Sequence, residues 1–132
     1  MITKNLASWL VTQLETALSV VVVKGFPIVD HPDEVPPIAS VLFMATPPVR
    51  KMRRVGEPTE ARSFVVSYAA EGEDQLLDAV DLIAGWASEN HHPTIDGTEV
   101  TVEIGVVRRV GGQLTLTSAY TVEFEVKFSG GL

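Results

Sequence analysis

Asp30-His31, with Asp33 and Glu34 close by, pairs a potential general base with a carboxylate able to orient it. No nucleophile or oxyanion donor accompanies the pair, and Pro32, Pro36 and Pro37 mark the segment as a surface loop. His91-His92, followed by Asp96 and Glu99, supplies metal-ligating side chains. Adjacent residues rarely converge on one ion, and the spacing matches no zinc pattern, so no metal ligand is assigned. Glu123 and Glu125 lie two apart, on one face of an expected strand. Paired carboxylates can do acid–base work. With Lys127 in series they read instead as a polar face available to water or another subunit. Walker, dinucleotide-binding and serine-hydrolase motifs are absent. Trp9 and Trp86 sit at or beside helical stripes and read as core, not as ligand platforms. No catalytic residue, metal ligand or cofactor site is assigned from these residues.

The sharpest charge feature is basic. Four of ten Lys and Arg residues fall at Arg50, Lys51, Arg53 and Arg54, in a long loop (46–60) that also carries Pro47, Pro48, Gly56 and Pro58. Such a cluster can contact phosphates. It lacks the aromatic residues that stack on single strands. It can equally meet an acidic surface of a like subunit, and Asp74, Asp78 and Asp81, with Glu71, provide one. A basic patch meeting an acidic patch elsewhere on the same molecule is a heterologous contact, which can close into a ring.

The 132 residues suit a single domain spanning 1–132, with 45% hydrophobic and 20% charged residues. A net charge of −7 disfavours nucleic acid as a general partner. There is no cysteine, which excludes disulfides, thiolate metal sites and cysteine nucleophiles and fits an intracellular origin. No apolar run approaches the ~18–20 residues of a membrane span, and the N-terminus reads as an amphipathic helix, not a signal peptide.

These residues are positioned by seven expected elements. Leu6, Trp9, Leu10, Leu14, Ala17 and Leu18 form a helical stripe behind Thr3 as N-cap. Val20–Val23 reads as strand, as do Ile38–Met44 and Arg62–Ala70, the last two forming a hairpin with a long tip. A second helix over 74–88 buries Leu76, Leu77, Val80, Ile83, Ala84 and Ala87, with Gly85 marking close packing. Val100–Val106 and Leu114–Phe128 alternate with period two and form a closing hairpin across Gly111-Gly112. Unbroken, the last strand would run roughly 50 Å. So long a strand suggests that another subunit completes part of the sheet. The expected fold is α+β: a mostly antiparallel sheet of about five strands, two helices packed on one face, ending in a long β-hairpin.

This order resembles the tail terminator (tail completion, or minor tail) proteins of long-tailed bacteriophages. The similarity runs through the helix Thr3–Leu18, the segment Val35-Pro36-Pro37-Ile38-Ala39-Ser40-Val41, the helix Leu76–Ala87 and the closing strand Tyr120–Val126. It rests on element order and covers nearly the whole chain. The resemblance implies a virion structural protein that is not an enzyme and has no catalytic residues or cofactor, assembled in the bacterial host cytoplasm into a homo-oligomeric, hexameric ring. That ring would cap the tail tube, end its polymerisation, and present the surface for the head–tail connector or neck proteins, with DNA passing through its lumen. The basic cluster and the paired prolines before it depart from the family's texture. They leave three targets for the 46–60 loop: the tube, a neighbouring subunit or the DNA. A connector or neck ring protein shares this texture. A small cone-fold or hot-dog-like enzyme has a similar length, but would need a titratable group buried in its pocket.

Overall fold

The computed structural model describes residues 2–26, 33, 35–46, 50–51, 58–110 and 119–130, with the side chains of 50, 51, 58 and 59 excepted. The order is α1 (Ile2–Leu18), β1 (Val21–Lys24), β2 (Ile38–Ala45), β3 (Arg50–Lys51), β4 (Pro58–Ala69), α2 (Glu73–Glu89), β5 (Thr94–Ile95), β6 (Thr98–Ile104), β7 (Arg108–Val110) and β8 (Thr121–Gly130).

The sheet corrects the expected fold. It is mixed, it runs β1-β2-β4-β8-β6-β5 with β3 beside β4 and β7 beside β8, and it curls into a half-barrel in which strand residues outnumber helical ones. A mostly antiparallel sheet of about five strands is not what forms. Three physical reasons account for the difference. First, β1 pairs with β2 in parallel, Val21 opposite Ile38. Parallel neighbours need a crossover of about a dozen residues, and the proline-rich stretch between Lys24 and Ile38 has that length. Second, Asp96 and Gly97 both take positive φ, 51° and 78°, and join β5 to β6 as a two-residue hairpin. Asp-Gly favours that turn because both central residues must be left-handed. Third, β6 and β7 act as one strand broken by a bulge. Ile104 faces Val126 and Arg108 faces Glu123, so one extra residue lies on the β6–β7 side.

Strand β8 is ten residues long and sits inside the sheet, flanked by β4 along one side and by β6 and β7 along the other. The overhang expected from a strand beginning at Leu114 therefore has no counterpart in β8, and Leu114–Ser118 and the Gly111-Gly112 turn lie outside the described residues. Tyr120 precedes the strand and is partly exposed, not on its buried face.

The alternation in β8 buries Val122, Phe124, Val126 and Phe128 on the face that both helices cover, together with Phe64, Val66 and Tyr68 of β4. Helix α1 contributes Leu6, Leu10, Leu14 and Leu18. It begins at Ile2, so Thr3 lies inside its first turn and not at the N-cap. There the Thr3 hydroxyl accepts a bond from Arg62 Nε at 3.1 Å. Helix α2 buries Leu76, Ala79, Ile83 and Trp86, a stripe rotated from the expected one. Leu77 is 52% exposed and Ala84 is also exposed. The rotation follows from Trp86, whose ring lies 6.1 Å from Trp9 and whose Nε1 donates to Gln13 Oε1 at 3.2 Å.

An aromatic chain continues from Trp9 to Phe128, Phe64 and Phe43, at 5.8, 5.7 and 5.7 Å between centroids, each pair edge-to-face. Such pairs contribute about 0.5–1.5 kcal/mol each beyond area burial. With the Trp9–Trp86 contact they tie the helix layer, α2 and α1, to β8, β4 and β2 of the sheet. Gly85 does not mark close packing: a Cβ built there meets nothing within 4 Å.

Candidate functional site

The helices leave the opposite sheet face to be explained. Strand register sets its contents, because side chains of paired residues share a face. One cross-strand row runs Val23, Ser40, Ser67, Glu123, Arg108, from β1 through β2, β4 and β8 to β7. The next row runs Leu42, Val65, Glu125, and the following one Ser63, Lys127, Glu103. Ser40, Ser63, Ser67 and Thr121 are buried. Val23, Ile38 and Ala69 form a small apolar cluster on this side. The polar face expected for β8 is thus divided: Thr121 is fully buried, Glu123 and Lys127 are half-buried, and Glu125 is exposed.

A trough of ≈ 450 Å³ crosses this face, with Val65, Glu123 and Glu125 along it and Met44 on one side. The other side is the bulge at Gly105–Val106 and Arg108. Gly105 N–H donates to Glu125 O at 2.8 Å, which holds the bulge against β8. The displaced register turns Val106 outward, and it is 83% exposed; Met44 is 54% exposed. Ser67 Oγ donates to Glu123 Oε2 over a long 3.4 Å. Ser40 Oγ is buried with no hydrogen-bond partner. Among the described residues the side chains of Glu125 and Arg108 have no ion-pair or hydrogen-bond partner, although Arg108 stands opposite Glu123 in register.

Asp74, Asp78 and Asp81 are exposed on α2, in the helix layer. The fold therefore does not bring them together with Glu123 and Glu125. Asp81 borders a second concavity of ≈ 550 Å³ between the helices, beside Gln13, Leu82, Gly85 and Glu89. Asp78 and Glu71 lie close enough to Tyr68 to add to the main effect, burial, in pushing its hydroxyl above the ordinary value of 10.0. Glu73 accepts from Arg109 Nη2 at 2.5 and 2.6 Å, which clips the start of α2 to β7.

Arg50 and Lys51 form β3, paired with Thr59 and Pro58 at the outer side of β4. Arg53 and Arg54 lie outside the described residues, as do Asp30, His31 and Glu34. His91 and His92 are exposed with ring centroids 6.3 Å apart, and no group of three or more metal-ligating side chains occurs among the described residues. No described helix is long and apolar enough to cross a membrane.

Met44 and Val106 end strand patterns that read as apolar in sequence, yet both are exposed here, and neither they nor Arg108 stand out in the sequence as site residues. Their one signal was Gly105, which interrupts the Val100–Val106 alternation where a bulge forms. No protein-family model matches this chain, and no curated protein matches it at a significant level.

Proposed function

We propose that this protein is a ring-forming structural component of a bacteriophage or prophage tail. It caps the tail tube, ends its polymerisation and offers the surface on which the head-side connector docks. In this reading it acts by assembly, not by catalysis, as a hexamer in the virion tail after assembly in the bacterial cytoplasm.

The observation that carries the reading is the open part of the sheet face opposite the helices, around Met44, Val106 and Glu125. One face of the curled sheet is sealed by both helices. The other holds an open trough with Met44 and Val106 exposed beside carboxylates. Exposed apolar side chains rimmed by charge suit a surface that another protein covers. The order of elements supports the same reading: a helix, strands ending in a basic segment, a second helix, then the closing strands.

Deleting the gene from a phage that encodes this chain tests the proposal. The expected result, seen by electron microscopy, is tail tubes of excessive and variable length without heads. Tails of uniform length lying detached from heads would assign the chain to the connector side of the joint instead. Intact virions in normal yield would end the proposal.

A further inference from the structure

We propose that the groove between α1 and α2 is the docking site for a basic amphipathic helix of another protein. The apolar face of that helix seats on Leu82 and against the small residues Ala17 and Gly85, and its lysine or arginine side chains meet Asp81 and Glu89. The inference goes beyond the ring reading and does not rest on it.

Three observations lead to it. The first is shape. The concavity of ≈ 550 Å³ has Thr16 and Ala17 of α1 on one wall and Asp81, Leu82, Gly85 and Glu89 of α2 on the other. From Asp81 to Glu89 it follows α2 for about 12 Å, just over two turns. A bound helix sets its apolar anchors in a groove over that distance, at i, i+3 or i+4, and i+7. Leu82 is 49% exposed there, and the bond from Trp86 Nε1 to Gln13 Oε1 joins the two helices across the floor. The second is Gly85. Glycine is the poorest helix former after proline, and packing within the chain does not require it, since a Cβ would meet nothing within 4 Å. A local rule broken without an internal reason points to function. On the groove wall, the missing side chain lets a second backbone approach α2 closely. The third is charge. Asp74, Asp78, Asp81 and Glu89 share one side of α2 with Gly85, at helical spacing. Helix α2 contains no Lys or Arg, and none of the four carboxylates has an ion pair or hydrogen bond among the described residues. A rim of one sign selects a partner of the other.

Neither helix of a second copy meets these requirements. Helix α1 carries a single cation, Lys4, and none of its large apolar side chains is exposed. Helix α2 would set carboxylates against carboxylates. The occupant is therefore a different protein.

Fluorescence anisotropy of a labelled model peptide tests it on the full chain. The peptide is an amphipathic helix of leucine and lysine, about five turns long, with the leucines on one face. Two controls accompany it: a scrambled peptide of the same composition, and one with glutamate in place of lysine. The wild-type chain is expected to bind the first saturably, one peptide per chain, and neither control. Asp81→Lys combined with Glu89→Lys should raise the dissociation constant at least about ten-fold, because like charges then face each other. Gly85→Leu, which fills the groove without altering charge, should do the same. Glu99→Lys combined with Glu125→Lys makes an equal charge change at exposed positions on the sheet and should have a much smaller effect. Far-ultraviolet circular dichroism verifies that each variant is folded. The inference is overturned if wild type does not bind the amphipathic peptide, if the scrambled peptide binds equally well, or if Gly85→Leu binds like wild type. It is also overturned if sedimentation shows that Gly85→Leu abolishes self-association, since the groove would then belong to a second copy.

Discussion

Ser40 and Ser67 face each other across β2 and β4, both are buried, and they should respond to alanine with opposite signs. The Ser40 hydroxyl is 1% exposed and has no hydrogen-bond partner. A hydroxyl removed from water without compensation costs about 1–3 kcal/mol on protein mutational data. Ser40→Ala removes that cost and leaves a void of one oxygen atom. The lower strand propensity of alanine returns a few tenths of a kcal/mol, so the net expectation is a gain of about 1 kcal/mol. Ser67 donates to Glu123 Oε2. Ser67→Ala loses that bond and leaves the carboxylate without its donor, for a loss of about 0.5–1.5 kcal/mol. Unfolding entropy near 2.1 cal/mol/K per residue gives about 0.28 kcal/mol/K for 132 residues, so about 1 kcal/mol moves Tm by about 3–4 °C. Urea titration at fixed protein concentration measures both variants, with unchanged slopes as the sign that the unfolded states are comparable. A Ser40→Ala variant less stable than wild type by 0.5 kcal/mol or more, on the order of the value of one satisfied bond, would refute the reasoning. The hydroxyl would then have a partner.

Three further outcomes follow from the packing. Gly85→Ala should stabilise the monomer by about 0.5–1 kcal/mol, because helix propensity favours alanine and the site is open; a loss in thermal unfolding would mean that the groove closes over it. Tyr68 is neutral and buried, with its folded pKa raised above 10.0. Its contribution is therefore fully present below pH ~10 and is lost as pH rises from there through the folded pKa. Tyr68→Phe should flatten that alkaline decline in urea midpoint, and an unchanged decline would point to other groups. Arg109→Ala should cost no more than about 1 kcal/mol, since the pair with Glu73 is half-exposed. That cost should shrink in 1 M salt, and a salt-independent loss would mean that the side chain acts through packing.

Much of the architecture was legible where a single period ran undisturbed. Leu6, Leu10, Leu14 and Leu18 at every fourth position located α1, and the even positions of β8 from Val122 to Phe128 marked its buried face. The structure departs from the local sequence pattern where a distant partner overrules it. Trp86 rotated α2 by packing against Trp9, so Leu77 lost its place in the core. Pairing of Val21–Lys24 with β2 is non-local, and nothing in four β-branched or basic residues states which direction their neighbour runs. Asp96-Gly97 is a local signal for the β5–β6 hairpin, since both residues take the positive φ that such a turn needs. As for the site, Glu123 and Glu125 were visible as one strand face. The trough that contains them depends on the curl of the sheet and the bulge at Gly105, both of which arise only when β8 is paired on both sides.

The central claim is that this chain assembles into a ring, and the mass of the purified protein in solution tests it most directly. Sedimentation equilibrium across a concentration series, with and without divalent cation, should show a species of six times the chain mass that grows with concentration. A stable dimer at every concentration, or a monomer persisting to the highest one, would contradict it.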